Sequence, residues 1–294
     1  MIFVDFHGHI ISNIFGYSAF VKTGVFDKKD FIEKYLVKLG RLAQKYKKEY
    51  GEFVIAADSS KRKYWRTLEF EHYKAARYIE EPEDSLTPKD LETKEMLKTL
   101  PREIFDIIDE HFPWKIIRTG PAEADDIIAT LINYNYSDKH LIISKDGDFK
   151  QLQRHSGVTQ IDYHGKKIIS KNPAEELFDK VIRGDSGDGI PNILSDDDTL
   201  VIEGKRQTPM TEKKIAYINS LDFEKMREDP ETKDDKIVLR YFQNKMLIDL
   251  SETPLELKEE ILRLYTEYSK TSNKVMSYCL KNKFATLFEN ISLY

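Results

Sequence analysis

Cysteine is almost absent. Cys279 is the only one in 294 residues, so no disulfide within the chain is possible and a cytosolic setting is expected. Long apolar runs are missing too. Nothing approaches the ~18 residues of a membrane span, and no charged-then-apolar leader precedes the first strand, so neither membrane residence nor export is expected. Positive charge is not in excess: 46 basic side chains face 51 acidic ones, a formal net charge of −5. A protein coated in positive charge is thereby excluded, and any contact with nucleic acid must come from local patches. No internal repeat or low-complexity segment occurs. None of the seven histidines falls in a catalytic motif, and His7 and His9 read as loop residues.

What is present is enough to build a core: 40% of residues are apolar and 33% charged, sufficient for one large domain or two smaller ones. Four short apolar runs read as strands: "IFVDF" (2–6), "FVIAAD" (53–58), "WKIIRTG" (114–120) and "HLIIS" (140–144). Helical stretches lie between them, around 30–48, 62–79 and 123–134. This alternation predicts an α/β fold, a mostly parallel sheet flanked by helices. Residues 158–170 predict a hairpin turning at His164-Gly165.

From Asn172-Pro173, a cap followed by proline at the first helical position, helices dominate. Thr253-Pro254 repeats that start, and Leu257, Ile261, Leu264, Tyr265 and Tyr268 form a stripe best read as core. The expected domains are an α/β core at 1–172 and a smaller helical domain at 173–294. Residues 80–110 hold eleven acidic and four basic side chains, with prolines at 82, 88 and 101. They are expected to leave the compact domain as a mobile, partly helical excursion.

In an open parallel sheet, sites form beyond the carboxyl ends of the strands. Each of the four runs delivers acid there. Asp5 ends the first and Asp58 the second. "EADD" brings Glu123, Asp125 and Asp126 after the third, and "SKDGDF" brings Asp146 and Asp148 after the fourth. Any one of them alone is better read as an ordinary turn or cap residue. Together they would repel, and some would protonate unless a cation neutralised them. A divalent ion such as Mg²⁺, which takes carboxylate, water and phosphate oxygens, meets that need. "RGDSGDGIPNI" (183–193) adds Asp185 and Asp188 in a glycine-rich turn that lacks the acidic ladder of a calcium loop.

Directly after Asp58, residues 61–77 carry six basic side chains against two acidic. On a helix, Arg62, Arg66, Phe70, Lys74 and Arg77 share one face. Such a face suits a phosphate backbone, with Tyr64, Trp65, Phe70 and Tyr73 available to stack on bases. A solvated amphipathic helix with an aromatic core side explains the stretch as well when it is taken alone; the position beside Asp58 favours the phosphate reading.

In this order, "FVDF", "AAD", "YKAAR", "EADD", "SKDGDF" and "GDSGDGIP" resemble the 5′-nuclease superfamily, which includes flap endonucleases. "DGDFKQL", "EGKRQTP" and "SYCLKNKFATLFENI" are similar to its phage branch, and the likeness runs through nearly the whole chain. The resemblance implies a PIN-like nuclease core with an arch at about 80–110, then a helical DNA-binding domain with a helix–turn–helix at 174–220. It implies a Mg²⁺-dependent 5′-to-3′ nuclease with two metal sites, Mn²⁺ serving as a substitute. Such an enzyme hydrolyses RNA/DNA and DNA/DNA duplexes and 5′ flaps, removing RNA primers during lagging-strand synthesis.

By the same resemblance, Asp5, Asp58, Glu123, Asp125 and Asp146 surround the first metal, with Asp126 adjacent. Asp148, Asp185 and Asp188 surround the second. Lys74 and Arg77 face the scissile phosphate and, with Asp125 and Asp146, make up the expected catalytic set. Many members carry a second glycine hairpin after "IP". Here "LSDDDTLVIEGKRQTPMTEKK" stands instead, so Lys205, Arg206, Lys213 and Lys214 are the expected duplex contacts beside Arg62 and Arg66. The expected partners are branched or nicked DNA, RNA/DNA hybrid and replication-fork proteins, with the protein a cytoplasmic monomer. A haloacid-dehalogenase phosphatase would need aspartate where His7 stands, and a Toprim domain glutamate where Asp5 stands. A non-catalytic junction-binding clamp is the alternative from another class.

Overall fold

The structure, a computed structural model, describes residues 1–20, 26–59, 63–75, 87–269 and 273–294. The first half alternates strands and helices: β1 (Ile2–Asp5), α1 (Phe6–Phe20), α2 (Lys28–Tyr50), β2 (Phe53–Ala56), α3 (Trp65–Glu69), α4 (Pro88–His111), β3 (Lys115–Ile117), α5 (Ala124–Tyr134) and β4 (His140–Ile143). A 3₁₀ segment, Gly147–Arg154, leads to the hairpin of β5 (Val158–Ile161) and β6 (Lys167–Ile168). Then come α6 (Pro173–Arg183), α7 (Glu212–Asn219), α8 (Phe223–Glu228), α9 (Lys236–Ile248), α10 (Leu255–Glu267), α11 (Val275–Asn282) and α12 (Ala285–Glu289).

The strands form one sheet in the order β3-β2-β1-β4-β5-β6, parallel throughout except for β6. Continuous apolar runs suit strands covered on both faces: Ile2, Phe3, Val4, Val54, Ile55 and Ile143 are fully buried. The register sets the strand ends level. Val4 lies opposite Ile55 and Ile143, and Ile55 opposite Ile116. The residues beyond each strand end therefore emerge at one edge.

The described residues divide into two units that interleave along the chain. One lies within Met1–Arg62, Pro82–Ile169 and Leu255–Tyr294, the other within Lys63–Glu81 and Ser170–Pro254. The change at Ile169/Ser170 lies close to the expected border at 172/173, but two segments cross over. Val275, Tyr278, Phe284 and Leu287 join the core around the sheet. Tyr64, Phe70 and Tyr73 pack with Val181, Ile190, Leu247 and Ile248 in the second unit.

Two expectations are corrected here. The helix foreseen over 62–79 is the short α3, which ends where Phe70 turns to extended backbone (φ −145°, ψ 106°). Lys74 then adopts φ +56°, so Arg66, Phe70 and Lys74 do not share a helical face, and the ring stack foreseen for Tyr64, Trp65, Phe70 and Tyr73 is precluded by their burial. The second half of 80–110 is not an excursion. Thr87 and Asp90 form a capping box, Pro88 opens α4, and Leu100, Ile104, Phe105 and Ile108 are buried in the sheet's core. The remainder of the arch reading, 80–86, lies outside the described residues. The helix–turn–helix foreseen at 174–220 is α6 and α7 joined by a 28-residue stretch (184–211), with Ile182, Ile193 and Ile218 in one cluster.

Candidate active site

Asp5 is the last residue of β1, and its carboxylate is tied to the end of β4. The Ser144 hydroxyl donates to Asp5 Oδ2 at 2.8 Å, and the Gly8 N–H approaches Oδ1 at 3.4 Å. Ser144 Oγ also accepts the Asp146 N–H at 3.1 Å, and Asp146 Oδ1 accepts the Asp148 N–H at 2.9 Å. Gln160 on β5 braces the same turn, its amide donating to the carbonyls of Ser144 at 3.1 Å and Asp146 at 2.7 Å. This is why the chain turns abruptly after "LIIS": hydrogen bonds from three strands hold two acidic residues at the sheet edge.

The other acids arrive on α5. Glu123 caps the helix, and its N–H is taken by Asp126 Oδ2 at 2.9 Å. Ala124 N–H donates to Asp58 Oδ1 at 2.8 Å, joining the end of β2 to this helix start. Glu123, Asp125 and Asp126 each offer an oxygen within 4.8 Å of the others. Asp126 is fully buried and spends one oxygen on the cap. His7 Nδ1 stands 3.7 Å from Asp58 Oδ2.

The crowding has an electrostatic consequence. Burial pushes the Asp5 carboxyl up to about 7, and the charges of Asp58 and Asp146 add to the effect against the opposing bonds from Ser144 and Gly8. Without a cation, Asp5 is thus held short of full ionisation near neutral pH. Carboxylate oxygens are the donors that hard divalent cations such as Mg²⁺ or Mn²⁺ prefer, so the residues fit such an ion. Asp5, Asp58, Glu123, Asp125, Asp126, Asp146 and Asp148 all stand at this edge.

Asp185 and Asp188 belong to the second unit, in the turn after α6. The Asp185 N–H and carbonyl both pair with Ile190. Burial alone would raise the Asp185 carboxyl. The Lys180 ammonium at 2.8 Å, with N–H donors from Gly187 and Asp188, outweighs it and holds the group below the usual range. Lys74 reaches Asp188 twice, through its N–H to the carbonyl at 2.8 Å and through Nζ to Oδ2 at 3.6 Å. Its ammonium lies over the Tyr73 and Tyr64 rings. Gly189 makes this approach possible. Its φ is +75°, and a Cβ there would stand 2.5 Å from the His72 carbonyl oxygen.

The proposed nucleic-acid contacts fare unequally. Arg62 and Arg77 lie outside the described residues. Arg66 is 1% exposed, and its Nε donates to the Leu247 carbonyl at 2.8 Å; the expectation that it meets phosphate is corrected to a packing role. Lys205 is exposed but engaged by Asp198 and, at 3.1 Å, by Asp196. Arg206 and Lys213 are exposed, and Lys214 Nζ donates to the Pro209 carbonyl at 3.1 Å. Two participants went unread in the sequence: Ser144 and Gln160.

The family model described as 5′-3′ exonuclease, N-terminal resolvase-like domain matches residues 14–180, and that described as T4 RNase H, C terminal, matches residues 172–294. The chain is 27% identical to the ribonuclease H of Enterobacteria phage T4 over 257 residues, 83% of this chain and 79% of that protein. The zinc-bound 5′-exonuclease of T5 has a TM-score of 0.61 at 14% identity, covering 100% of this chain and 98% of that one. A bacteriophage T5 flap endonuclease variant with DNA and metal ions also gives 0.61, at 16% identity over 99% and 98% of the two chains. At these identities the two structures speak for the fold.

Proposed function

The chain belongs to the 5′-3′ exonuclease family, and from that membership we propose that it is a divalent-metal-dependent 5′-to-3′ nuclease. Its substrates on this reading are RNA/DNA and DNA/DNA duplexes and 5′ flaps, its task is removal of RNA primers during lagging-strand synthesis, and it works as a cytoplasmic monomer. The observation that supports this most is the gathering of Asp5, Asp58, Glu123, Asp125, Asp126 and Asp146 at the carboxyl edge of one parallel sheet.

Bound divalent cations supply an acidified water and neutralise charge on the phosphate. The chain's own residues do the rest. Asp5, Asp58, Glu123, Asp125 and Asp146 would hold a first ion, and Asp126 fixes the start of α5. From the sequence, Asp148 of the sheet edge and Asp185 and Asp188 of the turn after α6 are assigned to a second. Lys74 meets the non-bridging oxygens of the scissile phosphate, where charge grows in the transition state. Arg77 is assigned the same role from the sequence. No protein base is required.

The test is a 5′-flap substrate carrying a label on the flap, incubated with Mg²⁺ and, separately, with chelator. We expect short 5′-phosphorylated products with Mg²⁺ alone. Tight binding without cleavage would identify a junction-binding clamp and overturn the assignment. Replacing the flap with an RNA-primed duplex tests the primer-removal role separately.

A further inference from the structure

Ser144 has no exposed surface. Its hydroxyl donates to Asp5 Oδ2 and accepts from the Asp146 N–H, so one oxygen joins acids from two neighbouring strands. Asp5 is bounded on its other side as well. A Cβ on Gly8 would stand 2.8 Å from Asp5 Oδ2 and 2.2 Å from the Tyr163 hydroxyl. The two oxygens thus flank a gap that only glycine leaves open. Tyr163, 8% exposed, lies between β5 and β6 and meets His9 edge-on at 5.2 Å between ring centroids. His9 Nδ1 and the Tyr35 hydroxyl are 2.9 Å apart, so the ring that abuts Tyr163 is itself anchored.

The consequence concerns which oxygen Asp5 can offer. Oδ2 is committed to Ser144 and faces the Tyr163 hydroxyl across the space left by Gly8. Oδ1 meets only the Gly8 N–H, at 3.4 Å, among the described residues. We propose that Ser144, Tyr163 and Gly8 are positioning residues that lock the Asp5 rotamer and make it a one-oxygen ligand through Oδ1. This rests on the metal-dependent reading of the site. Acids that repel one another settle at metal-binding separation only when neighbours restrain them, and such restraint typically changes metal affinity by about 10–100-fold.

The experiment measures Mn²⁺ binding to the substrate-free protein at pH 8, by paramagnetic resonance of the free ion, for the parent, Ser144→Ala and Tyr163→Phe. Thermal unfolding of each serves as the fold control. Ser144→Ala should weaken Mn²⁺ binding about 10-fold or more and Tyr163→Phe by a smaller factor, both remaining folded. Cleavage by each variant should recover as Mn²⁺ is raised. Unchanged affinity in both variants, beside a parent that binds, would overturn the inference alone. A parent that binds no Mn²⁺ would remove the metal-dependent reading and the inference with it.

Discussion

Asp5 sits where a carboxylate is hard to keep ionised, its carboxyl largely desolvated and facing Asp58 and Asp146. Because its carboxyl is raised to about 7 from an ordinary 3.8, the folded chain binds more protons than the unfolded one across that interval. Its contribution to stability is therefore present below pH 4, declines as pH rises toward 7 and is flat above. In chelator, Asp5→Asn should melt above the parent at pH 8, with the gap closing toward pH 4; in Mg²⁺ it should cleave far more slowly than the parent. Melting curves at the two pH values check the sign; a gap that grew on acidification would refute it. Asp146→Asn should likewise abolish cleavage with the fold retained, read by flap assay and circular dichroism. Lys74→Ala should slow cleavage more than it weakens duplex binding, because its ammonium already stands 3.6 Å from Asp188. Equal losses in the two assays would make Lys74 an ordinary phosphate contact.

At the scale of elements, α3 and α4 separate what the sequence made legible from what it did not. The four parallel strands, the hairpin and α5 were readable because apolar runs and a carboxylate at each strand end coincide. α4 was hidden by its composition. Acids and prolines dominate 80–110, yet Thr87-Pro88 carries the same start signal as Asn172-Pro173, and Leu100, Ile104 and Ile108 then recur at helical spacing. α3 was misread in the opposite sense. Arginine at helical spacing looks like a cationic face, and nothing local reveals that Arg66 reaches the Leu247 carbonyl 181 positions away. Ser144 escaped for a similar reason, since its bond to Asp5 joins strands distant in sequence. Leu100→Ala should cost about 2–5 kcal/mol in urea unfolding, a loss that a mobile arch would not show. Arg66→Ala should cost about 1–3 kcal/mol by stranding a buried carbonyl and leave the salt dependence of DNA binding unchanged.

For the molecule as a whole, a net charge of −5 leaves nucleic-acid affinity to a few uncommitted cations. Arg206→Ala and Lys213→Ala should each reduce the slope of log K against log salt by about 1. Lys205→Ala should reduce it less, since Asp196 and Asp198 already engage that ammonium. Fluorescence anisotropy across a salt series reads all three. The change of texture after residue 172 lies near one of the places where the chain passes between units, Ile169/Ser170. The return of 255–294 to the sheet was not legible, because an apolar stripe on a helix does not announce its partner. That return imposes an order of events during synthesis. The acids of the first strands leave the ribosome early, but the helices that seal their sheet are translated long after them. Ribosome-arrested chains ending before residue 255 should be inert, so the enzyme comes into the cell with a built-in delay between making its cutting edge and being able to use it.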